Sequence, residues 1–190
     1  MCAILNAQHL APAGGFFEPQ RTYNWSLEIA LDDAGDQVLI TQGLESFAGP
    51  DCDMGEIALP YGNEVRYVAG RATFAEAPLV IRDFVDIGTF NALYKWFREV
   101  YNSDTGSVGL ARTYKKNADL TLVAPNQTVA RSWKLIGCWP RRFKHGDYSQ
   151  ETVDKVRVET IIRYDRAVPS FGLNTGLGGI NVGSLTPPIL

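Results

Sequence analysis

The side chains that most often carry catalysis are scarce in this sequence. Histidine occurs only at positions 9 and 145. Neither His9 nor His145 stands beside a cysteine, serine or carboxylate at a spacing typical of nucleophilic catalysis. The glycine-rich stretch Gly176–Gly183 does not follow a predicted strand or precede a predicted helix, as a phosphate-binding loop must. We therefore expect the protein not to be an enzyme.

The three cysteines, Cys2, Cys52 and Cys138, also lack the spacing of a metal site or a redox motif. We expect no metal and no cofactor. Cys138 lies next to Trp139 in an alternating segment, so a packed thiol is expected there. Cys2 and Cys52 lie in stretches predicted to be exposed, where they can stay free or can form a disulfide between copies of the chain.

Composition excludes several classes of protein. The chain has 190 residues with a formal net charge of −3, which disfavours a protein that grips nucleic acid through bulk positive charge. No apolar run reaches the roughly 18–20 residues of a membrane span, and no secretory signal is apparent, so a soluble cytoplasmic product without a membrane partner is expected. The basic segment Arg141–His145 can contact phosphate or a stacked base, but a solvated hairpin turn is the favoured interpretation.

Alternation of apolar and polar residues dominates the central part of the chain and predicts β-strands. The clearest strands are predicted at Tyr23–Leu31, Ala118–Ala124, Trp133–Trp139 and Val156–Tyr164, and weaker ones near Gln37–Phe47, Asn63–Phe74 and Pro78–Phe84. One segment has helical spacing, with Asp86 or Thr89 as its expected N-cap; its apolar positions are Ile87, Phe90, Leu93, Tyr94, Phe97 and Tyr101. The expected fold is mainly β, an antiparallel β-sandwich or barrel with one flanking α-helix and extended terminal arms.

The two ends of the chain differ in composition from its centre. No charged residue follows Arg166, and the last 24 residues are rich in glycine, proline and spaced apolar side chains. Such a segment is too apolar for a typical disordered tail, so it is expected to pack on its own domain or on a neighbouring subunit. We divide the chain into an N-terminal arm (1–20), a β domain (21–166) and a C-terminal arm (167–190).

Charge is segregated along the chain. Nine acidic residues and no lysine or arginine occur from Thr22 to Val65, whereas eight basic residues and one acidic residue occur from Leu110 to His145. If the two segments lie on different ends of the domain, the copies are complementary head to tail, and such an interface generates rings or filaments. The alternative is that the two sets of strands pair within one sheet and neutralise each other.

The order of these elements resembles that of the tail tube proteins of contractile-tailed phages, which are related to type VI secretion tube proteins. The resemblance covers about Tyr23 to Asp165 and includes Gly43-Leu-Glu, Tyr61-Gly-Asn, Phe90-Asn-Ala-Leu-Tyr-Lys-Trp-Phe and Trp133-Lys-Leu-Ile-Gly-Cys-Trp-Pro. It implies six copies in a ring with a β-lined channel, and rings stacked into a hollow tube that conducts DNA inside a contractile sheath. The loop Phe47–Gly62 would contact the next ring, and the helix Phe90–Tyr101 would face outward.

The resemblance also implies the partners. They are further copies of the chain, the tail sheath protein, baseplate and terminator proteins, and tape-measure protein and DNA in the lumen of a virion assembled in the host cytoplasm. The cationic strand residues Lys155, Arg157 and Arg163 would be unfavourable in a DNA channel unless they are compensated. The alternatives are another tail ring protein, such as a terminator, baseplate or adaptor component, and a ligand-binding β-sandwich protein.

The contact residues are expected on the acidic segment, the basic segment and the C-terminal arm. Cys2 and Cys52 form the candidate disulfide between subunits. The candidate contacts within a ring or between rings are Asp51, Asp53, Glu56, Tyr61, Arg141, Arg142, Lys144, Phe171 and Leu177.

Overall fold

The computed structural model describes residues 20–85, 88–146, 148–151 and 153–171. It confirms a mainly β fold with antiparallel strands and a flanking helix. The helices are α1 (Ala34–Gly43), α2 (Thr89–Val100) and α3 (Ala111–Tyr114). The strands are β1 (Trp25–Ile29), β2 (Leu44–Phe47), β3 (Cys52–Tyr61), β4 (Glu64–Phe74), β5 (Ala77–Arg82), β6 (Tyr101–Asn102), β7 (Ser107–Val108), β8 (Lys116–Val123), β9 (Val129–Lys144), β10 (Arg157–Arg163) and β11 (Arg166–Phe171).

One long strand, β9, connects the two halves of the main sheet. Its first half pairs with β8 and β11, and β8 pairs in turn with β1. Its second half pairs with β10, which is followed by β5 and β2. Apolar side chains from both halves belong to one buried cluster, including Leu27, Leu120, Leu79 and Ile162. Both halves of the sheet therefore cover the same core.

Gly137 lies in β9 near the point where the strand leaves β8 and begins to pair with β10. Its φ of 71° is in the left-handed region, which costs an L-residue with a side chain about 1–2 kcal/mol. An added Cβ would clash with the side-chain carboxylate of Asp165. The shape of β9 at this point therefore requires glycine.

Replacing Gly137 with alanine is expected to lower the free energy of unfolding by about 2 kcal/mol or more, because the backbone strain and the contact with Asp165 act together. Gly49→Ala is the matched control, since nothing lies within 4 Å of its added Cβ. Urea unfolding of both variants would measure the difference. Equal stability of G137A and the wild-type chain would contradict this account of the bend.

Helix α1 occupies a segment that we predicted as a strand, and this part of the prediction is wrong. The predicted strand Gln37–Phe47 is helical up to Gly43, and only Leu44–Phe47 is β-structure. Asp33 caps the helix by accepting a hydrogen bond of 2.8 Å from the backbone N–H of Gly35. The run Val38–Ile40 favoured a strand in the sequence, but the acidic cap and the burial of Ile40 against the core favour a helix.

Helix α2 confirms the predicted helix but not its expected cap. Thr89 is its first residue rather than its cap, the N-cap is Gly88, and Asp86 lies outside the described residues. The buried side chains of α2 are those of Thr89, Ala92, Leu93 and Trp96. Of the predicted apolar positions, Leu93 is fully buried, whereas Phe90, Tyr94 and Phe97 are half-buried and each pack on Phe143 of β9.

Trp96 connects α2 to the following segment. Its side chain is 1% exposed, and its indole N–H donates a hydrogen bond of 2.8 Å to the backbone carbonyl of Tyr114, the last residue of α3. Lys95, on the outer side of α2, forms ion pairs with Asp33 and Asp36 of the α1 N-terminus. These contacts hold the helical layer together.

Strand β11 continues the sheet beyond β9. It contains the first five residues of the segment that we assigned to the C-terminal arm, and Pro169 lies opposite Trp133 in the pairing. Proline has no N–H to donate, so Pro169 must occupy a position whose backbone groups point away from β9. The remainder of the C-terminal arm lies outside the described residues.

Candidate assembly site

The segment that we predicted as a long loop is a projecting β-hairpin. Strands β3 and β4 pair with each other over almost their whole length and form a two-stranded sheet of their own. Every residue of β3 is exposed, and so are all residues of β4 except Gly70 and Phe74, which are half-buried. The prediction of a loop at Phe47–Gly62 is therefore wrong over Cys52–Tyr61, although the segment is as exposed as a contact loop would be.

The sequence of the hairpin accounts for its turn and its bend. Tyr61 and Glu64 are paired, so the turn has two residues, Gly62 and Asn63. Gly62 has a φ of 60°, and glycine is favoured at the first central position of the tight hairpin turns. The pairing shifts near Gly55, where an added Cβ on Gly70 would lie 2.9 Å from the carbonyl oxygen of Gly55. Glycine at position 70 permits this close approach of the two backbones.

The hairpin carries apolar side chains on its surface in an amount that is unusual for a monomeric protein. Tyr61 is 76% exposed and Tyr67 is 63% exposed. The other exposed apolar side chains beyond its bulge are those of Ile57, Leu59, Val65 and Val68. Because an isolated two-stranded hairpin is only marginally stable in water, these side chains need a further surface to cover them.

Of the nine carboxylates of the acidic segment, Glu28 of β1 has no ion pair with a described residue, and the other eight fall into two groups. Asp32 pairs with Lys116, Asp33 and Asp36 pair with Lys95, and Glu45 pairs with cations on three other residues. The four carboxylates from Asp51 onward have no ion pair within the part of the chain that the structure describes; they are Asp51, Asp53, Glu56 and Glu64. The acidic and basic segments are partly neutralised within one chain, through the ion pair of Asp32 with Lys116, whereas the complementarity of copies head to tail stays a prediction.

Tyr164 fixes the base of the hairpin to the body of the domain. Its hydroxyl accepts a hydrogen bond of 3.1 Å from the N–H of Asp51 and donates one of 3.3 Å to the carbonyl of the same residue. The centroid of its ring lies 5.8 Å from that of Phe74, the last residue of β4, which pairs with Cys52 at the base of the hairpin. Burial of Tyr164, which is 2% exposed, raises the pKa of its hydroxyl, so the hydroxyl stays protonated and can make both bonds.

Replacing Tyr164 with phenylalanine is expected to loosen the base of the hairpin while the domain stays folded. The loss of hydrogen bonding should lower the free energy of unfolding by about 1 kcal/mol. Exchange of the Asp51 amide hydrogen should become faster than in the wild-type chain, as measured by hydrogen exchange. Tyr94→Phe is the control, since the Tyr94 hydroxyl has no hydrogen bond to any described residue. Unchanged exchange at Asp51 would contradict the role of Tyr164.

The basic candidates lie on strand β9 rather than in a hairpin turn. Arg141, Arg142 and Lys144 belong to the second half of β9, so the prediction of a solvated turn is wrong for these residues. Arg141 forms an ion pair with Glu76, and Lys144 lies 3.5 Å from Glu159. Phe143 packs on the aromatic side chains of α2. The centroid of its ring also lies 5.2 Å from that of His145, which follows β9. The structure therefore groups these candidates on one strand, apart from those on the hairpin.

Glu45 of β2 compensates the cations at the start of β10. One Glu45 oxygen lies 2.9 Å from Nζ of Lys155 and 3.1 Å from Nε of Arg157, and the other lies 3.5 Å from Nε of Arg82. A hydrogen bond from Lys155 is the main cause that holds the pKa of the Glu45 carboxyl below its ordinary value. Arg163, the third cation of this alternation, lies 3.6 Å from Glu76. Sequence reasoning identified these cations but missed Glu45 as their partner.

Replacing Glu45 with glutamine is expected to cost about 1–3 kcal/mol at neutral pH, because charge-assisted hydrogen bonds are lost from a side chain that is mostly buried. Since its pKa is lowered in the folded state, Glu45 stabilises the wild-type chain at pH values above the pKa of the carboxyl in the unfolded chain. This stabilisation is lost as the pH falls through the folded-state pKa. Glu159→Gln, which removes a more exposed carboxylate, is the control. If the free energy of unfolding depended on pH in the same way in E45Q and in the wild-type chain, the stabilising role of the Glu45 carboxylate would be refuted.

The two described cysteines differ in environment. Cys52 is exposed at the start of β3, as predicted, and Cys138 is fully buried. Burial is the main cause that raises the pKa of the Cys138 thiol to about 12, which confirms a packed and unreactive thiol. Cys2 lies outside the described residues, so its disulfide with Cys52 stays a prediction. Leu177 also lies outside them, whereas Phe171 ends β11 and its backbone pairs with Arg131.

Among the described residues, no group of three or more histidine, cysteine, aspartate or glutamate side chains has the geometry to hold a metal ion. No helix in that part of the chain has the length and the hydropathy needed to cross a membrane.

The chain is similar to known tail tube proteins. A family model described as T4-like virus tail tube protein gp19 matches residues 21–166. A tail tube protein of Serratia phage KSP90 is 23% identical over 158 residues, which cover 78% of this chain and 88% of that protein.

Two solved structures share the fold. One is the tube-terminating cap of the anti-feeding prophage, with a TM-score of 0.66, 18% identity and coverage of 83% of this chain and 95% of that one. The other belongs to the sheath–tube complex of an extracellular contractile injection system in its extended state, with a TM-score of 0.64, 15% identity and coverage of 89% and 100%. Because the family model matches well over half of the sequence, the chain belongs to the T4-like virus tail tube protein gp19 family.

Proposed function

We propose that copies of this chain form hexameric rings that stack into the hollow inner tube of a contractile phage tail, through which DNA passes. The observation that carries the proposal is the projecting hairpin, whose apolar side chains are exposed in the single chain. Family membership supports it, because a tube protein must offer such surfaces to its own copies. The role is structural rather than enzymatic.

The outer face of the main sheet has a composition suited to a channel for DNA. Ser26, Thr121, Ser132 and Ser170 form one row across β1, β8, β9 and β11. Glu28, Asp119 and Lys134 form the next row, which has one more negative than positive charge. A neutral or weakly acidic surface does not retain a polyanion. Arg157 pairs with Glu45, and Arg163 lies 3.6 Å from Glu76. Their positive charge is therefore compensated and would not retain DNA in the channel.

The same proposal assigns the partners and the location. The tube would be enclosed by the tail sheath protein and would join baseplate and terminator proteins at its ends, with tape-measure protein and DNA in its lumen. It would be assembled in the host cytoplasm and remain in the virion. The proposed inter-ring contacts include Asp51, Asp53, Glu56 and Tyr61 on the hairpin, which is the most exposed part of the described chain.

Negative-stain electron microscopy of the purified chain tests the proposal. Tubes built of stacked rings, with sixfold symmetry in end views, are the expected result. Single rings that never stack would instead favour a terminator, baseplate or adaptor component. A chain that stays monomeric at every concentration and with every additive would contradict self-assembly.

A further inference from the structure

The buried core is incompletely covered at one place on the surface of the domain. A groove of about 260 Å³ is lined there by residues of β8 and of β1 and β2, the two strands at the ends of the main sheet. Its apolar lining residues are Trp25, Phe47, Leu120 and Leu122. Leu120 is 4% exposed and belongs to the buried cluster, and the other three pack against that cluster. The groove therefore opens onto the core.

Helix α1 covers β1 at Leu27 but leaves the groove open. The hydroxyl of Thr41 donates a hydrogen bond of 3.2 Å to the carbonyl of Leu27, whereas no residue of α1 lines the groove. Trp25 and Leu122 are paired across β1 and β8, and both are half-buried, as is Phe47 at the end of β2. These three large side chains retain apolar surface that a further group in the groove would remove from water.

The N-terminal arm joins the described part of the chain at the rim of this groove. Gln20, the first described residue, is itself a lining residue. Its side-chain amide donates a hydrogen bond of 3.1 Å to the carbonyl of Val123, the last residue of β8. Residues 1–19 lie outside the described part of the chain. The arm therefore begins beside the groove, and its last residues need to span only a short distance to reach it.

The residues just before Gln20 match the groove in chemistry and in reach. Phe16 and Phe17 are adjacent aromatic residues, and no charged residue precedes Glu18 in the sequence. Three residues separate the Cα atom of Phe17 from that of Gln20, and they span at most about 11 Å. A cavity of about 150 Å³ already holds benzene, so a groove of this volume can accept a phenyl ring.

We propose that the groove binds the Phe16–Phe17 pair of the same chain, with a phenyl ring packed on Leu120 between Trp25 and Phe47. The short tether favours the same chain over another copy, because a segment linked by a few residues has an effective concentration of about millimolar. The inference does not rest on the proposed function, since the contact forms within one copy. It gives the N-terminal arm the role of completing the core of its own domain.

Photo-crosslinking from the arm tests the inference directly. The photoreactive amino acid p-benzoylphenylalanine replaces Phe16 in one full-length chain and Phe17 in another. Each chain is prepared as an equal mixture of ¹⁴N- and ¹⁵N-labelled copies, irradiated in dilute solution and digested for mass spectrometry. We expect at least one of the two positions to crosslink to Trp25, Phe47, Leu120 or Leu122. Both ends of these crosslinks should carry the same isotope, which identifies a contact within one chain.

Urea unfolding of full-length variants supplies the second measurement. Phe16→Ser with Phe17→Ser removes both rings from the arm. The equilibrium constant of unfolding should rise at least about tenfold, because full burial of one phenylalanine side chain contributes that factor or more. Ile4→Ser with Leu5→Ser is the matched control, since it removes two apolar side chains from the part of the arm farther from Gln20. The control should unfold like the wild-type chain.

Three outcomes would overturn the inference. The first is that neither position crosslinks to a residue of the groove. The second is that crosslinks to the groove join only ¹⁴N-labelled to ¹⁵N-labelled copies, which would show that the arm of another copy occupies it. The third is that the variant without the two rings unfolds at the same urea concentration as the wild-type chain. None of these results depends on whether the chain forms tubes, so the proposed function is tested separately.

Discussion

A chain in which the hairpin is replaced by a short turn is expected to fold normally and to form no rings or tubes. Asp53 and Thr73 are paired in the ladder, so an Asn-Gly turn can join them and replace residues 54–72. Full burial of an apolar side chain of this size contributes about 1.5–3 kcal/mol, and the deletion removes at least four of them. The resulting loss of contact energy exceeds about 6 kcal/mol before ordering costs are subtracted, which corresponds to more than about 10⁴-fold in affinity.

Sedimentation velocity measures the assembly of this variant, and circular dichroism with thermal unfolding measures its fold. The control exchanges only the turn, Gly62-Asn63 for Asn-Gly, and therefore keeps both faces of the hairpin. The control should assemble like the wild-type chain. Tubes of normal length from the chain without the hairpin would show that the assembly surface lies elsewhere.

The largest effect on stability is expected for Trp96→Ala. The side chain is almost completely buried between the helical layer and the sheet, and truncation of a buried tryptophan costs about 3–5 kcal/mol. The change also removes the donor that binds the carbonyl of Tyr114. For a domain of this size, the melting temperature should fall by roughly 10 °C or more.

Trp96→Phe separates the two contributions. Phenylalanine keeps most of the apolar contact but cannot donate to Tyr114, so its loss should be about 1–2 kcal/mol. Calorimetry of the two variants gives the ranking. If W96F and W96A were equally destabilised, the hydrogen bond rather than packing would be the main contribution of this residue.

Alternation and helical spacing predicted most of the fold. The strands β1, β4, β5, β8, β9 and β10 and the helix α2 all lie where the pattern of side chains placed them. In β1, β5, β8, β9 and β10 the residues largely alternate between the core and solvent, whereas β4 is exposed over almost its whole length. The prediction failed at α1, because Val38 and Ile40 are good strand residues, whereas the Asp33 cap and the packing of Ile40 in the core favour the helix.

The exposure of the segment Cys52–Tyr61 was predicted correctly, but its secondary structure was not. The segment around Asp51 and Tyr61 was expected to be an exposed contact loop, yet its residues form a strand that pairs only with its neighbour β4. The Tyr61-Gly-Asn turn was the local signal for a hairpin. Tyr164, 113 residues away from Asp51, could not be assigned to the hairpin base, because only the tertiary fold brings them together.

Pro169 affects how the edge strand β11 can pair with other extended segments. Strand β11 lies at an edge of the sheet, where open N–H and C=O groups can recruit any extended segment and start uncontrolled aggregation. The missing N–H of Pro169 interrupts this row of donors in the middle of the strand. Among the described residues, Pro169 thus limits the pairing of this sheet edge with extended segments of other chains.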